Sequence, residues 1–417
     1  MSDLICQAGS RGAVVLQNPI ALSSTASLLA ACLVLLTGAM LTRNVGVLAK
    51  YNIPDPIVGG VLFAILVALL GLATGLRVSL DVPTRSTLLL IFFACVGMTA
   101  DMRLLAQGGA RLLRFLLVLF PFLFAQDALG VVVAKGLGLH PLLGLLGGTI
   151  TLVGGHGTGA AYAQRFADVN NIQGVMELTM TSATLGLVVG GVIGGPVAQW
   201  LIRRHGLFGA TPAKEDKGVG GGPVTTPVTL LSFMGSLAVA LIAMMAGREL
   251  ADLTEGAPLT MPSFVWCLFV AVVIRNGGPF VGLRLNDAAS ELIGSVCLSV
   301  FLSWTMMALD LGSVVRLAGP LLIILVFQTV LVAVWAILLA FRIVGRDYES
   351  AVMAGAFCGF AMGATATAIA NMQALTRRYG PAPQAFLVVP VAGAFFIDIM
   401  NAAVLTIFLS LGFVGGG

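Results

Sequence analysis

At 417 residues the chain is 58% hydrophobic and only 10% charged, its mean hydropathy is +1.03 and its net charge is +4. Soluble globular domains carry about 25% charged residues, so that class is excluded. Uncharged runs long enough to cross a bilayer recur along the chain, which specifies an all-α polytopic membrane protein, and a small basic excess set by Lys and Arg at the ends of such runs gives no reason to expect a nucleic-acid partner.

Residues 1–21 form an N-terminal extension that opens Ser2-Asp3, without the basic start of a secretory signal. Charges and prolines then punctuate the apolar runs. They predict helices near 22–43, 55–76, 86–101, 113–135 and 174–202, together a first half spanning 22–202. Within it, 140–164 is uncharged and rich in Gly, Ala and Thr, and reads as a re-entrant hairpin rather than a simple span. Residues 203–226 carry Arg203-Arg204-His205, Lys214-Glu215-Asp216-Lys217 and Gly220-Gly221-Gly222-Pro223, the composition of a solvated, flexible linker. The second half, 227–417, predicts helices near 227–248, 261–280, 290–309, 317–341 and 383–412, with a second hairpin at 350–374.

The halves repeat. Ile53-Pro54 matches Met261-Pro262, Gly97–Asp101 matches Thr305–Asp310 with the Asp shifted by one, and Thr158 matches Thr365, all at offsets of 207 to 209. Five spans per half is an odd number, so the second repeat is inverted relative to the first. With the N-terminus outside, fifteen of the 22 Lys and Arg residues fall on the cytoplasmic side and seven outside. That bias places both termini outside and the linker in the cytoplasm. The first hairpin then dips in from outside and the second from the cytoplasm.

Each hairpin holds a run of small residues: Val153 to Ala161 (VGGHGTGAA) and Cys358 to Thr367 (CGFAMGATAT). Glycine frees the backbone, and freed backbone inside a membrane must be buried in protein or line a wet cavity. A matched pair of such segments, one per half, points to a transporter's binding site. Gly154, Gly155, Gly157 and Gly159, and Gly359 and Gly363 in the second run, can expose carbonyls to Na⁺ and helix N-termini to anions. Thr158, Thr365 and Thr367 add hydroxyls of little bulk. The competing reading is close helix packing through small residues.

Several further polar residues are candidates, most with competing readings. Asp398 is the sole charge between 379 and 417, and a carboxylate so placed faces a cavity or an ion, with Asn401 one turn on, or makes a structural hydrogen bond. Arg165 pairs a carboxylate or extends to water. His156 contacts substrate, responds to protons, or is simply hydrogen-bonded. Asn371 and Gln373 offer neutral donors. Gln126-Asp127, with Gln328 as a counterpart in the second half, is a polar contact between helices or part of an ion path.

The sequence has no G-x-x-x-x-G-K-[ST], no G-x-S-x-G and no His pair at metal spacing, and Gly155-x-Gly157-x-Gly159 follows no strand. It therefore reads as a secondary active transporter and not an enzyme. An ion channel lined by two loops is the rival; a membrane hydrolase would have only Asp398 and Asp127 to offer as a catalytic pair. The six cysteines are scattered, without a C-x-x-C pair, and read as small buried hydrophobes.

Three stretches carry a family resemblance: Thr151 to Ala161 (TLVGGHGTGAA), Ala364 to Gln373 (ATATAIANMQ) and Val389 to Asp398 (VPVAGAFFID). They closely resemble the motifs of bacterial sodium/glutamate symporters, and the likeness runs from about Lys50 to Leu411. Where the family more typically has Gly-Leu-Gly, the run from Cys358 to Gly363 has one glycine fewer. The resemblance implies Na⁺-coupled uptake of L-glutamate across the bacterial inner membrane, with both termini then periplasmic. It also implies two inverted five-helix repeats with one re-entrant hairpin each, a homodimer in membrane lipid and an elevator-type movement. The substrate is expected against Gly154, Gly155, His156, Gly157, Thr158, Gly159, Arg165, Thr365, Thr367 and Asn371. The co-transported Na⁺ is expected at Asp398, Asn401, Gly359, Gly363 and Thr365.

Overall fold

The computed structural model describes residues 20–50, 53–74, 78–170, 172, 174–207, 227–254, 261–283, 285–309 and 311–411. Nearly all of the N-terminal extension, most of the expected linker and Asp310 of the expected repeat lie outside the described residues. The first half runs α1 (Ser24–Asn44), α2 (Gly46–Lys50), α3 (Asp55–Thr74), α4 (Arg85–Met98), α5 (Arg103–Gly136), α6 (Pro141–Leu145), α7 (Gly155–Asn170) and α8 (Val175–Arg204). The second runs α9 (Leu230–Leu253), α10 (Ser263–Gly277), α11 (Asp287–Met307), α12 (Leu311–Trp335), α13 (Phe341–Val344), α14 (Tyr348–Met362), α15 (Thr365–Tyr379), α16 (Pro383–Val391) and α17 (Ile397–Ser410). Side-chain caps set several starts: Ser23 accepts from Ala26 N, Asn286 from Ala289 N, Asp347 from Ser350 N, and Thr229 closes a capping box with Ser232.

Among the described residues, eight helices are long and apolar enough to cross a membrane. Apolar side chains such as Leu29 and Leu36 on α1, Leu66 and Leu69 on α3 and Val326 and Val330 on α12 face outward. Such faces are at home against lipid and a liability in water. The chain is thus a multi-pass membrane protein.

Three details depart from the expected elements. The third span is only 14 residues, α4, about 21 Å long at 1.5 Å per residue, and Thr99–Asp101 is not helical. The fourth begins at Arg103, ten residues early, because Gly109 takes a left-handed φ of 59° and turns the chain between two helical pieces. The tenth is interrupted by a π turn at Ala392–Phe396, just after Pro390, which gives up a backbone amide. A short parallel pair, β1 (Ile20–Leu22) with β2 (Val78–Leu80), lies outside the all-α reading.

Contacts divide the helices into two groups. α1, α3, α4, α9, α10 and α11 pack on one another; α5 to α8 and α12 to α17 form the second group, with α8 against α14 and α15 and α5 against α6, α12 and α16. The main helix contact between groups is α7 on α11. Close crossings use glycine: a Cβ on Gly38 would run into the Asp55 carbonyl, and one on Gly59 into that of Val34, so α1 and α3 meet backbone to backbone.

Candidate substrate and ion site

Both small-residue runs break a helix. After His140 caps α6 through Nδ1, the helix passes through a π turn at Leu146–Ile150, where Gly148 leaves helical geometry (φ −106°, ψ −136°). It stops at Val153-Gly154, and α7 starts at Gly155, with φ at 64°. In the second run α14 stops at Met362, Gly363 and Ala364 are extended or irregular, and α15 starts at Thr365. A helix start leaves its first amides without intrahelical acceptors and carries a partial positive charge.

The two breaks meet. A cavity of about 170 Å³ is lined by Val153, Gly154, Gly155 and Thr158 from the first, Gly363, Ala364 and Thr365 from the second, and Gly393, Ile397 and Asp398 beside them. Phe92, Phe93 and Val96 of α4 complete it from the other helix group. It is smaller than the roughly 300–1,000 Å³ of drug-sized sites, as suits a single small solute. Thr365 Oγ1 donates to the Gly393 carbonyl at 3.3 Å, tying the second break to the π turn. Asp398 has no ion pair among the described residues.

Behind this cavity runs a buried polar spine. Asp127 accepts the Thr149 amide at Oδ1 and the Thr149 hydroxyl at Oδ2, both at 2.9 Å, and so satisfies backbone beside the Gly148 distortion. Gln126 Nε2 donates to the Ala361 carbonyl at 2.9 Å, one residue before the end of α14. Gln328 Nε2 donates to the Gln126 carbonyl at 2.9 Å, and Asn401 Nδ2 to the Thr149 carbonyl at 3.3 Å. Adjacent residues of α5 thus hold one break each.

The remaining expected residues lie elsewhere. His156 is buried, with Nε2 3.1 Å from Thr184 Oγ1. Gly157 admits Phe92 and Leu298, Gly159 admits Thr179, and Gly359 admits Ala368 and Asn371, so these glycines serve close packing. Asn371 Nδ2 is committed to the carbonyls of Gly190 (3.0 Å) and Gly355 (3.4 Å). Thr367 is buried with its hydroxyl unpartnered. Arg165 lines a different cavity of about 400 Å³ with Gln164, Asp168, Asp252 and Ser263.

Sequence reasoning missed Gly393 and the α4 wall of Phe92, Phe93 and Val96. Pro390 was the available signal for the π turn; apolar residues of α4 carry no mark that separates them from other lipid-span residues.

The sequence profile of the family described as sodium/glutamate symporter matches residues 20–381. A sodium/glutamate symporter of Escherichia coli (strain K12) is 42% identical over 403 residues, covering 95% of this chain and 99% of the relative. One from Haemophilus influenzae is 40% identical over 391 residues, covering 92% and 96%. Asp398 falls beyond the profile match. The chain belongs to the sodium/glutamate symporter family.

Proposed function

We propose that this protein is a secondary active transporter that couples Na⁺ movement to uptake of L-glutamate across the bacterial inner membrane. The observation that carries it is the cavity where two helix breaks, two helix starts and Asp398 meet. Helix N-termini suit the carboxylates of an acidic amino acid, and a lone membrane carboxylate suits a cation. Glutamate lies against Gly154, Gly155, Thr158 and Thr365, and Na⁺ near Asp398, Asn401, Thr365 and Gly363.

The broken segments act as re-entrant hairpins in two inverted repeats, 22–202 and 227–417, joined by a cytoplasmic linker, with both termini periplasmic. An elevator-type movement is supported by the light contact between the two helix groups, since the breaks and Asp398 all belong to one of them. The family reading extends this to a homodimer in lipid. Glutamate carries a net negative charge, so at least two Na⁺ must accompany it for the membrane potential, about 2.3 kcal/mol per charge per 100 mV, to drive uptake.

Uptake of labelled glutamate into proteoliposomes tests this. Saturable uptake that requires an inward Na⁺ gradient, carries positive charge inward and shows counterflow is expected. Uptake indifferent to Na⁺, or flux without counterflow as in a channel, contradicts it.

A further inference from the structure

We propose that one transported Na⁺ is held in a side-chain cage beside the glutamate cavity, made by Asp398 and Asn401 of α17 with the hydroxyls of Tyr162 and Thr158 of α7, and sealed by the other helix group. This rests on the symport reading above and adds the ligands and the seal.

A separate void of about 10 Å³ is lined by Asp398, Asn401, Thr158 and Tyr162, roughly the room that one water-sized particle needs. Asp398 and Asn401 are three apart on α17, and Thr158 and Tyr162 four apart on α7, so each pair shares a helix face. Two of these groups are left unsatisfied. Asn401 Oδ1 and Tyr162 OH are both buried without a hydrogen-bond partner. Buried polar atoms are nearly always paired, so two orphans facing one void call for an occupant such as an ion or a water. The Asn401 head is not free to turn away, because its Nδ2 is anchored to the Thr149 carbonyl and Thr149 is in turn held by Asp127.

The donor set selects the ligand. Hard cations take oxygen ligands, and this void offers one carboxylate with an amide oxygen and two hydroxyls. Among the described residues no group of three His, Cys, Asp or Glu side chains could hold a metal ion. A single negative charge fits a monovalent cation.

The remaining lining is Phe93 of α4 and Phe264, Val265 and Leu268 of α10, with Ala402. Phe93 and Phe264 lie 4.7 Å apart between ring centroids, and Tyr162 meets Phe264 edge-on at 5.1 Å. All four apolar residues from α4 and α10 belong to the helix group opposite the ligands. The ion is therefore locked in until one group moves past the other, which ties its release to the transport movement.

Tyr162→Phe removes one hydroxyl and nothing else. In proteoliposomes it is expected to raise the Na⁺ concentration for half-maximal uptake about ten-fold, the loss of roughly one ligand interaction, with glutamate half-saturation at saturating Na⁺ unchanged. In detergent without glutamate, the rise in unfolding midpoint that Na⁺ gives the wild type should shrink to a similar extent. Wild-type Na⁺ dependence in both measurements would overturn the cage. If Asp398→Asn shifts the Na⁺ dependence while Tyr162→Phe does not, the cage is wrong and symport stands. If wild-type uptake itself ignores Na⁺, the symport reading fails first.

Discussion

Asp398→Asn is expected to lower Na⁺-driven glutamate uptake by about 100-fold or more while leaving the protein folded, since about 100-fold corresponds to ~2.7 kcal/mol. Asp398 lines both the glutamate cavity and the smaller void, in the first turn of α17. It has no cationic side chain as partner among the described residues. Two opposite unit charges 4 Å apart gain about 4 kcal/mol at an effective dielectric near 20, so losing the charge is large enough to produce the effect. Asparagine keeps the shape and the oxygen but not the charge, which separates an ion role from a packing role. Initial uptake rates over a Na⁺ series check this, with the unfolding midpoint as the folding control; a wild-type Na⁺ series in the variant would remove Asp398 from the ion site.

Legibility in the sequence followed a simple physical line. A residue that breaks its own surroundings shows itself. The glycine runs interrupt apolar helix, and the chain does break at Val153-Gly154 and Gly363-Ala364. Asp398 is a lone charge among apolar residues, and it does line the cavity. Which glycine does what is not legible. Gly155 and Gly157 are two apart in one motif, yet the first bends the backbone and lines the cavity while the second makes room for Phe92. That difference is set by a helix from elsewhere in the fold. Gln126-Asp127 stood out as polar, but its partners are Ala361 and Thr149, far along the chain, and only the fold brings them together. Tyr162 gave no signal because an aromatic residue in an apolar helix is ordinary until its hydroxyl is found buried and unpaired.

Asp127→Ala should destabilise the protein strongly. The fully buried carboxylate accepts both the amide and the hydroxyl of Thr149, and alanine strands both. Each buried orphan costs about 1–3 kcal/mol, so a loss of roughly 2–6 kcal/mol is expected, with a further contribution from the space left behind. The effect should also reach the ion, because the Thr149 carbonyl anchors Asn401. Asp127→Asn retains an acceptor and should recover part of the loss. Thermal unfolding in detergent reads the first effect and Na⁺ dependence of uptake the second. An Ala variant as stable as wild type would show that Asp127 is not what holds the first break.

The most direct measurement is a structure determined with Na⁺ and glutamate present. Glutamate density is predicted in the cavity between Val153–Gly155 and Gly363–Thr365, with a Na⁺ peak beside Asp398. Glutamate bound instead in the larger cavity at Arg165, with the space between the two helix breaks empty, would contradict the account.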